Sequence, residues 1–282
     1  MSPAKNVLGQ QPSSSLQWQD RFINTLKEAF EIFINRRHNK PAELIARFLD
    51  GVLKSGSKKV APADGDVEQL IDRVLVLFRF VQGKDVFEAF YKRDLAKRLL
   101  LRRSASIDGE RQVLTKLRAE CGAGFTSKLD GMFKDMEISA DLAQTFKNSS
   151  FFERLNGIDL SVDVLTHGFW PLYPDIPLII PRELSQCQTV FEEFHRSKHS
   201  GRTLKWQNVL GHCLLKAHFP KSNHELHVSL LQAIILLCFN DVDTLSYGQI
   251  KEKVGLEENE LKRTLQSLAC GKYRVLAKSP KV

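Results

Sequence analysis

The stretch of sequence that decides the fold is DVEQLIDRVLVLFRFVQGKDVFEAFYKRDLAKRLLLRR, residues 66–103. It contains no proline, and five apolar residues of its second half recur three or four positions apart: Phe87, Phe90, Tyr91, Leu95 and Leu99. They share one face of a helix, and a helix of roughly 50 Å at 1.5 Å per residue cannot bury such a stripe alone. The stretch therefore predicts the spine of a helical bundle. Glycine lowers helix propensity, so Gly83 marks the expected bend.

The composition is that of an ordinary globular protein. The 282 residues are 43% hydrophobic and 26% charged, which predicts a sizeable core and two domains. The net charge of +8 suits acidic partners in general, and it does not choose among nucleic acid, a membrane surface and an acidic protein. The five cysteines are scattered without a C-x-x-C pair, which indicates reduced, intracellular chemistry. The most apolar run, residues 230–239, is too short to span a bilayer.

The first half of the chain is expected to be helical. Residues 1–16 are rich in Pro, Ser and Gln and predict a disordered leader. Residues 17–150 show helical spacing with short links, which is typical of an antiparallel bundle. One of its helices precedes the spine and carries apolar residues at helical spacing: Phe22, Ile23, Leu26, Phe30 and Phe33.

The hydrophobic period changes in residues 151–230, for which we expect an α/β region. Residues 159–164 alternate strictly between polar and apolar, which predicts a half-buried strand. Three more strand-like runs, residues 203–209, 211–219 and 225–230, predict an antiparallel meander.

The order of elements in residues 231–282 is helix, helix, turn, helix and a β-like run at 273–277, which is typical of a winged-helix unit. The fold class is thus mainly α with a smaller α+β part: a helical bundle, an antiparallel α/β region and a winged-helix unit.

Catalytic and metal chemistry find little support in the sequence. There is no phosphate-binding loop and no G-x-S-x-G elbow. Six histidines cluster with Cys213 in a short stretch: His195, His199, His212, His218, His224 and His227. A metal site there, or a nucleophilic Cys213 or Cys270, stays a minor alternative to ordinary surface and sheet residues. We expect no enzyme, no metal and no cofactor.

A cluster of cations follows the second half of the spine, opposed only by Asp94: Lys92, Arg93, Lys97, Arg98, Arg102 and Arg103. We place it on the exposed side, where it serves as a solvated face, a contact for an acidic protein or a nucleic-acid contact. The third helix of the winged-helix unit opens with Glu257, Glu258 and Glu260, which would repel phosphates. Nucleic acid is therefore the less favoured partner.

Several motifs resemble those of the cullin family, in order along nearly the whole chain. The main ones are GKDVFEAFYKRDLAKRLL at 83–100, SAS at 104–106, MFKDM at 132–136 and VLTHGFWP at 164–171. Residues 39–46 (NKPAELIA), 199–206 and 264–272 (TLQSLACGK) are most similar to the cullin four subfamily.

The resemblance implies a non-catalytic scaffold of a cullin-RING ubiquitin ligase, found in nucleus and cytoplasm, that directs proteins to proteasomal degradation. A RING-box protein would add a strand to the α/β sheet and carry the ubiquitin-conjugating enzyme. We assign its docking to Leu160, Val162 and Val164, with Trp206 behind them. Acidic tails of conjugating enzymes would contact four cations of the spine: Lys92, Arg93, Lys97 and Arg98.

The resemblance also sets limits on the expected partners. Neither the N-terminal cullin repeats nor the terminal winged helix with its modified lysine is recognised in this sequence, so the resemblance does not extend to binding of a substrate adaptor or to that modification, and both stay open. We expect no membrane partner. The alternative function is a nucleic-acid-binding winged-helix protein.

Overall fold

The computed structural model describes residues 14–54, 64–219 and 221–280. Most of the predicted leader, residues 1–16, lies outside them. Within the described residues the chain forms eleven α-helices and one two-stranded antiparallel sheet, which confirms a mainly helical fold with a smaller α/β part. None of the described helices is long and apolar enough to cross a bilayer.

The chain divides into two compact units. The first is Met1–Ile138 with Asp163–Pro171, and the second is Ser139–Val162 with Leu172–Val282. The helices of the first unit are α1 (Ser14–Ile34), α2 (Lys40–Leu53), α3 (Asp64–Arg79), α4 (Lys84–Leu100), α5 (Ile107–Cys121) and the first part of α6 (Ala123–Lys147). The predicted domain limits at residues 150 and 230 both fall inside the second unit.

The predicted spine is two helices, α3 and α4, and not one, because the helix stops at residues 80–83. Two features cause the break. One is Gly83, which caps the start of α4, and the other is the side chain of Asn35, which follows the end of α1. The Asn35 amide donates to the Phe80 carbonyl at 2.8 Å, and its oxygen accepts the Gln82 N–H at 3.1 Å. These bonds satisfy backbone groups that a continuous helix would have used itself. The expected bend at Gly83 is therefore a complete break.

The core of the first unit gathers around α4 as its apolar stripe predicts. Phe87, Tyr91 and Leu95 are fully buried, and the Phe87 ring lies 4.6 Å from the ring of Phe78 on α3. The helix α1 forms where its spacing predicts, but much of its apolar face, including Phe22 and Leu26, is exposed among the described residues. Helical spacing thus gave the secondary structure of α1 without giving its burial.

The second unit contains the remaining elements: α7 (Ser150–Glu153), α8 (Arg182–Lys198), a 3₁₀ turn (Asn208–Leu210), β1 (His212–Phe219), β2 (Ser222–Ser229), α9 (Leu230–Leu237), α10 (Tyr247–Val254) and α11 (Glu258–Ala269). Its first part is held by an aromatic cluster in which the Phe146 ring contacts Phe191 at 5.1 Å and Phe194 at 4.9 Å. All three rings are buried.

Only two of the four strand-like runs become strands. β1 and β2 pair in a hairpin with His212 opposite Ser229 and Phe219 opposite Ser222. Residues 159–164 and 203–207 form no strand, and residues 203–207 lead into the 3₁₀ turn. The predicted meander is wrong because alternation reports which side chains face the core, and it does not show that another strand lies alongside.

Two of the three helices that end the second unit begin with a capping box. Ser229 and Ser246 close capping boxes with Gln232 and Gln249, and Gly255 ends α10 in a left-handed conformation at φ 66°. The predicted strand 273–277 is absent from the described residues. Instead the N–H groups of Val275 and Leu276 both bond the Leu268 carbonyl near the end of α11, so the wing of a winged helix is not formed there.

Candidate functional site

Residues 158–162 have the side-chain pattern of a strand without a strand neighbour in the described structure. Ile158, Leu160 and Val162 are half-buried, and the intervening Asp159 and Ser161 are exposed. Among the residues that the structure describes, the backbone N–H groups of residues 159–162 donate no hydrogen bond. Since a strand satisfies its backbone only through a neighbour, this main chain is available to a guest.

The predicted docking residues are not all placed alike. Leu160, Val162 and Val164 lie along this extended segment and are half-buried. Trp206 belongs to the packing of α8: its ring meets Phe191 edge-on at 6.1 Å, and its indole N–H donates to Glu192 Oε1 at 2.6 Å. The geometry therefore makes Trp206 a support of the second unit, while its assigned role in docking stays a prediction.

The exposed cationic side of the spine needs one correction. Arg98 is only 2% exposed, so it cannot contact the acidic tail of a partner. Its guanidinium forks onto Glu110 at 2.6 Å and 2.9 Å and also reaches Asp50 Oδ1 at 2.5 Å. The sequence carried a signal for this burial, because Arg98 follows Tyr91 and Leu95 at helical spacing and so shares their buried face.

The buried charges around Arg98 form a closed network. Glu110, which is fully buried, also accepts the Ser104 hydroxyl at 2.9 Å and the Tyr91 hydroxyl at 3.4 Å. Burial by itself would lower the pKa of Arg98, but the hydrogen bonds and charge of Glu110 outweigh it and raise the pKa. Burial, followed by the Glu110 charge, raises the pKa of the Tyr91 phenol. This network holds α4, α5 and α2 together and leaves no charge for a ligand.

Of the other three cations assigned to the acidic contact, Arg93 and Lys97 are exposed and Lys92 is half-buried. Arg93 lies over the Phe90 ring at 4.9 Å and pairs with Asp94 at 3.2 Å, so part of its charge is already used. Partial burial, together with the nearby positive charge of Lys128, lowers the pKa of Lys92. The charge of Glu88 offsets part of this repulsion, and among the described residues neither lysine forms an ion pair, so the assigned acidic-tail contact stays a prediction. Lys128, on α6, was missed because its proximity to Lys92 depends on packing.

The clustered histidines are dispersed in the structure. His195 is buried on α8 with the His199 ring 4.8 Å away, while His218 and His224 lie at the exposed end of the hairpin. Across the described residues, no three His, Cys, Asp or Glu side chains converge in a geometry that could hold a metal ion.

A buried carboxylate that the sequence did not single out contacts residues that come just after the docking segment, residues 159–164. Asp135 on α6 accepts hydrogen bonds from Thr166 and Trp170, which follow the docking segment by a few residues. Its place in the MFKDM motif could have drawn attention, but its role depends on a contact 31 residues away.

Two family models match the chain. The Cullin alpha solenoid domain matches residues 7–143, and the Cullin alpha+beta domain matches residues 164–282. The second model begins inside the docking segment and includes the hairpin and all three terminal helices. Together the two models account for most of the sequence.

Known proteins with similar sequences carry the same family name. The chain is 54% identical over 266 residues to Cullin-4A of Mus musculus and 48% identical over 267 residues to Cullin-4 of Dictyostelium discoideum. It is 44% identical over 261 residues to Cullin-3A of Arabidopsis thaliana. These alignments cover 94%, 94% and 92% of this chain and 35%, 33% and 35% of the relatives, so the chain spans about a third of their length. The chain belongs to the cullin family.

Proposed function

We propose that the chain is a non-catalytic scaffold of a cullin-RING ubiquitin ligase and that it binds a RING-box protein by strand addition to residues 159–164. Membership of the cullin family supports the scaffold role. The observation that carries the docking proposal is the strand-like segment whose N–H groups at 159–162 have no acceptor among the described residues. The chain would hold the RING subunit in place, and the ubiquitin transfer would take place on the conjugating enzyme that this subunit binds.

Strand addition suits this segment for a physical reason. A guest strand would satisfy the main-chain donors and acceptors, each hydrogen bond contributing about 0.5–1.5 kcal/mol net. The alternation of Leu160, Ser161 and Val162 would keep the apolar side chains against the second unit while polar ones stay in water. Each strand of the β1–β2 hairpin also has one edge without a strand partner in the described structure, so the hairpin is an alternative edge for a guest strand.

The surface of α4 supports a further part of the proposal, a contact with the conjugating enzyme. Lys92, Arg93 and Lys97 would attract the acidic tail of a conjugating enzyme held by the RING subunit. Such attraction between exposed charges acts mainly on the rate of association and weakens with salt. Arg98 takes no part because it is buried.

The test is co-expression with a RING-box protein, which should give a one-to-one complex on size exclusion. Ser161→Pro and Val162→Pro are the sharpest variants. Successive N–H groups point to opposite edges of a strand, so one of the two removes a donor facing the guest whichever edge is used. Ser161→Ala and Val162→Ala are the matched controls. Two separate peaks for the unaltered chain, or unchanged binding by both proline variants, would contradict strand addition.

A further inference from the structure

Asp135 is a buried carboxylate whose partners are all neutral donors. Its Oδ2 accepts the Thr166 backbone N–H and the Trp170 indole N–H, both at 2.7 Å, and its Oδ1 accepts the Thr166 hydroxyl at 2.8 Å. The residue is 6% exposed, and no Lys, Arg or His of the described chain forms an ion pair with it. A buried charge without a counter-ion is costly, so breaking any of the three hydrogen bonds that compensate it is unfavourable.

Residues 163–170, which Asp135 contacts through Thr166 and Trp170, are held within the first unit at two more points. The Phe169 ring lies directly against α6 at Gly131, where an added Cβ would fall 2.5 Å from Cδ2 of the ring. Arg102, at the end of α4, pairs with Asp163 at 2.8 Å. Residues 163–170 are thus held by a buried charge, a ring contact and a surface ion pair, the first two of them from α6.

The fastened residues come directly after the main chain that has no acceptor for its N–H groups. Thr166 follows Val164 by two positions, so the position of Thr166 limits the conformations that residues 160–164 can adopt. A segment held in a binding-competent conformation avoids the ordering cost of binding, and its apparent affinity is not reduced by a low competent fraction. The anchor is needed here because, in the described structure, residues 159–162 have no strand neighbour to keep them extended.

We propose that Asp135 is a positioning residue that keeps the docking segment extended and ready for a guest strand. This inference rests on the proposed function, since it concerns the same segment. It assigns to the MFKDM motif on α6 the task of preparing a binding site that lies later in the chain. Gly131 assists because only glycine lets the Phe169 ring approach the helix so closely.

The test compares three variants of the full chain for affinity to a RING-box protein. Asp135→Asn keeps the shape of the side chain but turns one acceptor into a donor facing Thr166 or Trp170. It should lower affinity about tenfold, as expected if the competent fraction falls to about a tenth. Gly131→Ala should also lower affinity, because the methyl group displaces Phe169. Asp130→Asn is the matched control: the same change on the same helix, where the carboxylate contacts only Arg118 at the surface. It should change affinity less than about twofold.

Hydrogen exchange separates positioning from simple loss of stability. In Asp135→Asn the amides of residues 163–169 should exchange faster, while the amides of α4 and α5 keep their protection. Equal binding by Asp135→Asn and Asp130→Asn would overturn the inference and leave the proposed function standing. Loss of protection throughout the first unit would also overturn it, because Asp135 would then be structural only. If the unaltered chain fails to bind, the proposed function fails and this inference fails with it.

Discussion

The helix α4 and residues 158–165 are both amphipathic in sequence, and they reach opposite outcomes in the structure. The apolar side of α4 is fully buried at Phe87, Tyr91 and Leu95. Residues 158–165 bury their apolar side chains only partly, and the N–H groups of 159–162 have no acceptor among the described residues. A helix satisfies its own backbone, whereas a strand depends on a neighbour. Residues 159–162 therefore differ from α4 in having main-chain donors without an acceptor in the described structure, which is what a strand-docking site requires.

The largest effect is expected from Arg98→Met, which removes the cation of the buried charge network on α4. The change leaves Glu110 buried without its cation, and we expect the free energy of unfolding to fall by about 3–5 kcal/mol. Urea unfolding followed by circular dichroism measures this loss. The control is Arg111→Met, which removes a surface ion pair with Glu137 and should cost several times less. Equal losses would show that the buried network is no more important than a surface pair.

Hydrogen exchange should show the comparison directly in the unaltered chain. The buried core of α4 should exchange at least ~10³ times more slowly than a free peptide, whereas the amides of residues 159–162 should exchange at nearly the free rate. Added RING-box protein should slow residues 159–162 and leave α4 as it was. Strong protection of 159–162 in the free chain would show that the segment already has a partner.

A smaller effect is expected at His195, in the unit that contains most of the segment. Burial first, and then the charges of His199 and Arg202, lower the pKa of His195. Because the unfolded chain then binds the proton more tightly, the contribution of neutral His195 to stability is present above pH 6.5 and is lost as the pH falls. Between pH 7 and 5.5 the free energy of unfolding should fall, by no more than the about 1.4 kcal/mol per pH unit that one proton allows. Urea midpoints at the two pH values measure it.

The control for this prediction is the pH dependence of two variants. His195→Phe, which removes the titrating group beside Phe191 and Phe194, should flatten the profile. His218→Gln, on the exposed end of the hairpin, should leave it unchanged. A profile equally steep in His195→Phe would assign the acid sensitivity to other groups.

The smallest effect on stability is expected at Lys97, on the exposed side of α4. Lys97→Glu should change the free energy of unfolding by less than about 0.5 kcal/mol, since the residue is at the surface. It should weaken binding of an acidic peptide severalfold at low salt, with the difference fading in high salt. Lys27→Glu on α1 is the matched change elsewhere on the first unit. Similar weakening by both variants would attribute the attraction to net charge and not to α4.

Much of the fold could be predicted from the sequence, because a helix is formed by residues close together in the chain and its apolar spacing is visible there. The spacing of apolar residues predicted helices where α1 and α4 form, and Gly83 marked the start of α4. The split of the spine is a full break because Asn35 captures Phe80 and Gln82, a contact between residues more than forty positions apart. Alternation found the extended segment and could not tell a paired strand from an unpaired one.

The features of the candidate site also divide into those that the sequence predicts and those that depend on tertiary contacts. The sequence by itself determined the family, the amphipathic α4 and the strand-like pattern of Leu160, Ser161 and Val162, since these depend on residues close together in the chain. Only the tertiary structure decided that Arg98 is buried and that Asp135 holds Thr166 and Trp170. The physical reason is that a charged side chain is buried or exposed according to the partners that reach it, and those partners come from distant parts of the chain.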